Sequence, residues 1–481
     1  MTNAVFLAAL TAYPMLLCAQ APTALPPPKL EAPAAPALKL EDVLASTAKH
    51  YPPLLAAIQD RVIADADVTS AEGRFDLTLR AKYDADYFSY YDNSKYDAGI
   101  EQPLSFQGMS FFSGWRLGRG EFASYDGKLQ TDSLGEYRGG MRLPLLQNRA
   151  IDSRRAELSK ALIGRRIADL GIDQQKLLIV QLATRRYWDW VAAGQRFRAA
   201  EAVLKVAETR DQQLRDAVKL GSIPAIEVTD NQRAILTRRV QVVEAERALQ
   251  LAAIELSLFY RDDRGDTRLP DVSQLPPAFP TVREIDEQRL RDDIDLALKR
   301  RPEIQRFAAQ RNQVEVDRRV ARNQLLPNVD LVMGYTRETG DRLVRRGPDE
   351  LSAALEFALP IQRRQAKGRE MSAVARIEQF DQRERFARDQ VTAEVRDAYS
   401  AVITAYRRAQ ALRQEVEVAR QLEDAERVKF DLGDSTLFLV NLREQATFDT
   451  VLRELSALNE YYRAVALYEF ATAEGMSRLK P

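Results

Sequence analysis

One histidine, His50, and one cysteine, Cys18, are the whole supply of these two side chains in 481 residues. A His/Cys metal centre, a His-based triad and a disulfide framework are therefore nearly excluded. Glycine is scarce as well, at 21 residues, and no Gly-rich phosphate loop is present. Charge of neither sign prevails, because 70 Lys and Arg stand against 70 Asp and Glu. A nucleic-acid binder usually carries a basic excess, so no nucleic-acid partner is expected. After the N-terminus no stretch approaches the roughly 18 apolar residues that a membrane helix needs. If the chain spans a membrane, it must do so as strands. Acidic residues are plentiful, but none sits in a recognisable catalytic spacing. Neither an enzyme nor a cofactor is expected.

What is present begins with an export signal at residues 1–21. Ala4 to Cys18 is mostly apolar and too short to span a bilayer, and Ala19-Gln20-Ala21 supplies a small-residue cleavage site. No Lys or Arg precedes the apolar run, and Pro22 follows the cut. The other reading makes Cys18 a lipoprotein cysteine, against which Leu17 stands where a small residue is expected. Residues 22–38 are rich in Pro and Ala and read as an extended linker.

The mature chain carries one plan twice. YPPLLAA at 51–57 and RPEIQRF at 301–307 each open a helix of about 20 residues, ending at EGRFDL (72–77) and NQLLPNVDL (323–331). Each then enters a strand-like region and leaves it through a similar signature, LPLLQNRAIDSRR (143–155) and LPIQRRQAKGR (359–369). Tyr187 lies 34 residues before Gly221, and Tyr399 lies 34 before Gly433. This divides the chain into a first repeat at 39–270, a linker at 271–289 and a second repeat at 290–481. No proline falls between Pro144 and Pro224 or between Pro360 and Pro481, and the intervening residues are good helix formers. Long helices are predicted at about 150–218, 224–260, 362–430 and 436–474. The first would be roughly 100 Å long, a length typical of coiled coils and helical arrays.

Four strands are predicted, at 76–88, 136–146, 328–337 and 350–360. In the first, Leu77, Leu79, Ala81, Tyr83, Ala85 and Tyr87 alternate with Asp76, Thr78, Arg80, Lys82, Asp84 and Asp86. Segments of about 10 residues, apolar outward and charged inward, mark a transmembrane barrel with a wet lumen. On that reading Leu77, Leu79, Tyr83 and Tyr87 face lipid. A soluble antiparallel sheet with one wet face would alternate in the same way, but it would need a packing partner other than long helices. Four strands cannot close a membrane barrel, whose practical minimum is about eight. Cyclic symmetry is the usual remedy, and three copies would supply twelve. The insert at 89–135 holds further strand-like pieces at 96–104 and 111–118. It is also crowded with aromatics, among Tyr87, Phe88, Tyr90, Tyr91, Phe111, Phe112 and Trp115. These read either as an interfacial belt or as packing within a loop.

With RPEI at 301–304, LLPNVDL at 325–331, the LPL and LPI strand exits and the two glycine turns in place, the chain resembles the TolC-like outer-membrane efflux protein family from about residue 39 to 475. The resemblance implies a mixed α and β homotrimer. In it a twelve-stranded outer-membrane barrel is continued by a twelve-helix periplasmic tunnel that narrows at its inner end. It implies an exit duct for drug efflux, metal efflux or type I secretion, working with a periplasmic adaptor and a proton-driven or ATP-driven inner-membrane pump. The family's inner tips correspond to KLGSIP (219–224) and DLGDST (431–436), so Lys219, Leu220, Gly221, Ser222, Asp431, Leu432, Gly433 and Asp434 would meet the adaptor. Read without the family, each glycine is simply a helix C-cap. Acidic residues just beyond the turns line the entrance in the family. Glu227 and Asp230 match in the first repeat, whereas Leu439 and Leu442, then Arg443 and Glu444, stand in the second. The rival reading is a periplasmic adaptor or structural protein with long helical hairpins.

Overall fold

A computed structural model describes residues 36–87, 90–286, 288–341 and 349–479. The expected signal peptide, most of the 22–38 linker, Cys18 and Phe88 lie outside the described residues.

The same order of helices occurs in each half. The first half has α1 (Leu40–His50), α2 (Pro52–Glu72), α3 (Ser153–Lys219) and α4 (Ile226–Ser257). The second has α5 (Arg289–Arg300), α6 (Pro302–Asn323), α7 (Arg364–Asp431) and α8 (Leu437–Ala471). Proline occupies the first position of α2 and of α6, where its missing N–H costs nothing and its fixed φ suits the helix. The Asp152 side chain caps α3 by accepting from the Arg155 N–H. Lengths of 67 and 68 residues for α3 and α7 correspond to about 100 Å each. No described helix is both long and apolar enough to cross a membrane.

The motif at 301–304 has a packing role. Arg301 is buried, pairs with Glu303 and with Glu394 of α7, donates to the Phe470 carbonyl of α8, and lies over the Phe470 ring. One guanidinium thus fixes the start of α6 against both long helices of its half.

Among the described residues, six strands form one antiparallel sheet in chain order: β1 (Thr78–Asp86), β2 (Asn93–Pro103), β3 (Ser110–Gly120), β4 (Glu136–Pro144), β5 (Asn328–Glu338) and β6 (Asp349–Ala358). This corrects the expected count of four strands. The strand-like pieces of the 89–135 insert are full members of the sheet, hydrogen-bonded between β1 and β4. Their alternation is diluted by glycine. Gly99 and Gly114 face each other across β2 and β3. A Cβ on Gly99 would lie 2.9 Å from the Ser113 carbonyl oxygen, and one on Gly114 would lie 2.8 Å from that of Ala98. The strands approach too closely for side chains there, so the polar half of the pattern is missing from the sequence.

The buried core lies midway along the long helices, where α1, α5 and the 271–286 segment wrap them. Trp190, Val191, Leu256, Val43 and Leu44 form one cluster, and Val391, Val395, Val402, Tyr461 and Tyr468 form another. Residues 271–286, expected to be a plain linker, form a packed strap. Leu275 fills the space over Gly194, the Arg283 N–H donates to the Tyr461 hydroxyl, and the Tyr462 hydroxyl donates to the Pro280 carbonyl.

Candidate functional site

Directly opposed residues on antiparallel strands share a face, so the register assigns every sheet side chain. One face carries Leu79 opposite Ile100, Tyr83 opposite Tyr96, Trp115 opposite Tyr137, Met141 opposite Met333, and Leu331 opposite Leu355. Four residues expected on this face, Leu77, Leu79, Tyr83 and Tyr87, are all exposed in the protomer. The Tyr83 ring lies 4.8 Å from that of Tyr96, and the Tyr83 and Tyr87 hydroxyls are 2.6 Å apart. The opposite face is charged and cross-linked. Arg80 pairs with Glu101 at 2.9 Å, Arg116 with Glu136 at 2.6 Å, and Arg138 with Asp97. Arg142 reaches Asp330 at 3.2 Å and Glu356 at 2.5 Å.

The sheet has two open edges, β1 and β6. The helices below continue them. Near the sheet α2 packs on α3, α3 on α6 and α6 on α7; further away α4 packs on α3, α3 on α8 and α8 on α7. One edge of the protomer is therefore β1, α2 and α4, and the other is β6 and α7. Both edges are apolar where they are uncovered. Leu236, Val240, Val243, Leu251 and Ile254 recur at helical spacing on α4 and are exposed, as is Leu258 at its C-cap. Met371, Val374, Phe386, Val418, Leu422 and Val428 are exposed on α7. The accessible surface is 30766 Å², against about 18,000 Å² for a compact monomer of this mass. A protomer of this shape leaves apolar surface uncovered along both edges.

At the far end from the sheet the two helix pairs turn in the same way. Gly221 and Gly433 have φ of 73° and 81°. The Gly221 N–H donates to the Val218 carbonyl and that of Ser222 to Ala217; the Gly433 N–H donates to Phe430 and that of Asp434 to Lys429. Both are Schellman caps, which satisfy the last carbonyls of α3 and α7. Thr436 then caps α8 through Leu439. All eight residues expected at the tips are exposed. Leu220 and Leu432 are among the most exposed apolar side chains of the chain, at 82% and 79%.

Glu227 and Asp230 both sit at this end and are half-buried. They are not equivalent. Asp230 accepts from Arg233 at 3.2 Å and from the Asn441 amide of α8 at 3.3 Å. Among the described residues Glu227 has no side-chain hydrogen bond or ion pair.

One constellation near the tips was missed in the sequence. Glu444 is 4% exposed and accepts from three arginines on three different helices. Arg210 of α3 binds both its oxygens, Arg238 of α4 donates at 2.7 Å, and Arg427 of α7 donates at 3.0 Å. Burial pushes this carboxyl up, but the hydrogen bonds and charges of Arg210 and then Arg238 outweigh it and hold the group at about 2. Arg210 and Glu444 each lie eleven residues from their tip glycine, the one trace in the sequence that they would meet at the same height.

A family model described as outer membrane efflux protein matches residues 294–470. Among solved structures, the Campylobacter jejuni CmeC outer membrane channel matches at 14% identity and a TM-score of 0.61, over 91% of this chain and 86% of that one. The open state of the Neisseria gonorrhoeae MtrE outer membrane channel matches at 16% identity and 0.63, over 91% and 90%. The outer membrane protein VceC from Vibrio cholerae matches at 15% identity and 0.62, over 90% and 95%. No curated protein matches in sequence.

Proposed function

We propose that this chain belongs to the outer membrane efflux protein family, whose model matches residues 294–470, and is the outer-membrane duct of a tripartite efflux or type I secretion assembly. Three copies join β1 to β6 and α2 with α4 to α7, closing a barrel in the outer membrane and a helical tunnel in the periplasm. The apolar face of the sheet meets lipid, with Leu77, Leu79, Tyr83 and Tyr87 in contact with it. The charged face lines the lumen. The observation that carries this reading is the alignment of open edges. The unpaired strand edges and the exposed apolar helix faces lie on the same two sides of the protomer. An exposed strand edge is a template for pairing with another chain, and ring closure is the arrangement that leaves none.

The tips at Lys219 to Ser222 and Asp431 to Asp434 dock a periplasmic adaptor, which links the duct to an inner-membrane pump. Glu227 stands at the entrance and is open to bind cations. Asp230 is committed to Arg233 and Asn441, so it serves to hold α4 against α8. The two halves, 39–270 and 290–481, act as repeats that place two tips per protomer at the entrance. Cargo passes along this wall and undergoes no chemistry.

Mass measurement in detergent tests assembly, and planar-bilayer recording tests the channel. A particle of about three chain masses with stable single-channel steps is expected. A monomer without conductance, recovered from the soluble periplasmic fraction, would instead support the adaptor reading.

A further inference from the structure

We propose that β2 and β3 are wall strands, so that three copies close an eighteen-stranded barrel, with the 121–135 segment laid across its widened mouth. The inference rests on the duct reading given above. It departs from the twelve strands that the resemblance implies.

Three observations carry it. The first is length: β2 and β3 have 11 residues each, and a tilted strand needs about 9–11 to cross a bilayer. The hairpin also runs the full height of the sheet. Its lower turn is seated on the start of α3, where a Cβ on Gly108 would lie 2.5 Å from the Asn148 carbonyl oxygen. The second is face. Ile100, Ser113 and Trp115 continue the apolar face, while Asp97, Glu101 and Arg116 continue the charged one. The inserted strands pair through their ions with their neighbours on both sides, Glu101 with Arg80 of β1, and Asp97 with Arg138 of β4. A loop lying outside the wall would have no reason to keep that division.

The third observation is what fills the mouth. Leaving β3, the chain folds back on the charged face instead of projecting from the edge. Gly118 belongs to that face, opposite Lys95, and a Cβ on it would lie 1.8 Å from the Leu129 carbonyl oxygen. The Gly118 N–H donates to the Thr131 hydroxyl at 3.1 Å, and Thr131 is 1% exposed. The Asp132 N–H donates to the Glu338 carboxylate of β5. A backbone segment against the inner wall needs a lumen wider than side chains alone would fill. At equal tilt the diameter grows roughly linearly with strand number, so eighteen strands give a barrel roughly half again as wide as twelve. The segment narrows again what the hairpin has widened, which suits a duct that passes bulky cargo yet keeps its mouth restricted.

Single-cysteine variants in a Cys18→Ala background test the wall. Ile100→Cys and Ser113→Cys report the apolar face of β2 and β3, Leu79→Cys and Leu355→Cys that of β1 and β6, and Glu101→Cys the charged face. Trimers in liposomes are treated with a membrane-impermeant maleimide. Loss of labelling is expected at Ile100, Ser113, Leu79 and Leu355, with Glu101→Cys labelled. Labelling at Ile100 and Ser113 with Leu79 and Leu355 still protected would overturn the eighteen-stranded wall and leave the duct standing. Labelling at all four apolar positions would overturn the duct reading itself. Strand count in an electron-microscopy density of the unmodified trimer gives a second measurement, with eighteen expected and twelve overturning the proposal.

Discussion

Glu444→Gln isolates the energetic centre of the tip region. The substitution keeps the shape of the side chain and removes the one negative charge shared by Arg210, Arg238 and Arg427. Removing one partner of a buried ion pair costs about 3–5 kcal/mol, because the remaining charge stays desolvated. The protonation equilibrium gives a second route to the same quantity. The carboxyl is held at about 2 against an ordinary 4.5, and one unit is about 1.4 kcal/mol. The ionised form therefore contributes on the order of 3 kcal/mol. The two routes agree. Thermal melting of the helical circular-dichroism signal in detergent should shift down by about 3–5 °C at neutral pH.

The sign of the pH dependence follows from the direction of the shift. A depressed carboxyl contributes fully above its unfolded value and loses that contribution as pH falls through its folded value. The difference between wild type and Glu444→Gln should be constant above about pH 5 and should close between about 4.5 and 2. Other carboxylates titrate in both proteins and cancel from the difference. A triple change, Glu444→Leu with Arg210→Met and Arg238→Met, should recover most of the loss, since apolar replacement of a whole buried cluster is often neutral. An unchanged melting point at neutral pH, or a difference that persists undiminished at pH 2, would refute the reasoning.

Three further outcomes are expected. Leu79→Arg should lower the yield of trimer, since a charge on the lipid face near the midplane costs roughly 2–4 kcal/mol, whereas Lys82→Gln on the charged face should not; equal damage from both, measured by native gel, would show a wrong register. Gly433→Val meets nothing within 4 Å but must hold a φ of 81°, which costs about 1–2 kcal/mol; trimer yield should survive while crosslinking to the adaptor and export fall, and normal export would remove the docking role. Glu227→Lys should move the reversal potential away from cation preference in single-channel recordings, because a three-fold ring of carboxylates attracts cations, and an unmoved potential would place Glu227 outside the pore.

The long helices and their turns were legible because local chemistry sets them. Proline is absent for tens of residues, good helix formers fill the space, and a glycine stands at each tip. The strands β1, β4, β5 and β6 were legible from alternation. The pair β2 and β3 was legible only as strand-like pieces at 96–104 and 111–118, because Gly99, Gly114 and Gly118 occupy positions where the polar half of the pattern would have been written. The Glu444 cluster was hidden for a different reason. Its partners lie 17, 206 and 234 residues away, on helices whose relative rotation no single helix pattern specifies. The strap at 271–286 escaped notice because irregular backbone packs through carbonyls and single side chains, which leave no period.

The two halves match closely where they are helical and differ where they are not, and assembly explains the contrast. The long helices α3 and α7 differ by one residue, 67 against 68, a mismatch of about 1.5 Å. Both descend from the same sheet, so equal length keeps both tips level, and Arg210 and Glu444 can meet only if they are. A turn added to one helix alone would separate that pair by about 5.4 Å and leave a buried charge unmatched. The sheet is under no such constraint. A hairpin inserted between β1 and β4 leaves the outer edges of β1 and β6 free for the pairing between copies proposed above, and each added strand satisfies the backbone of its neighbours. The first half could therefore gain two strands while the helices below could not gain a turn.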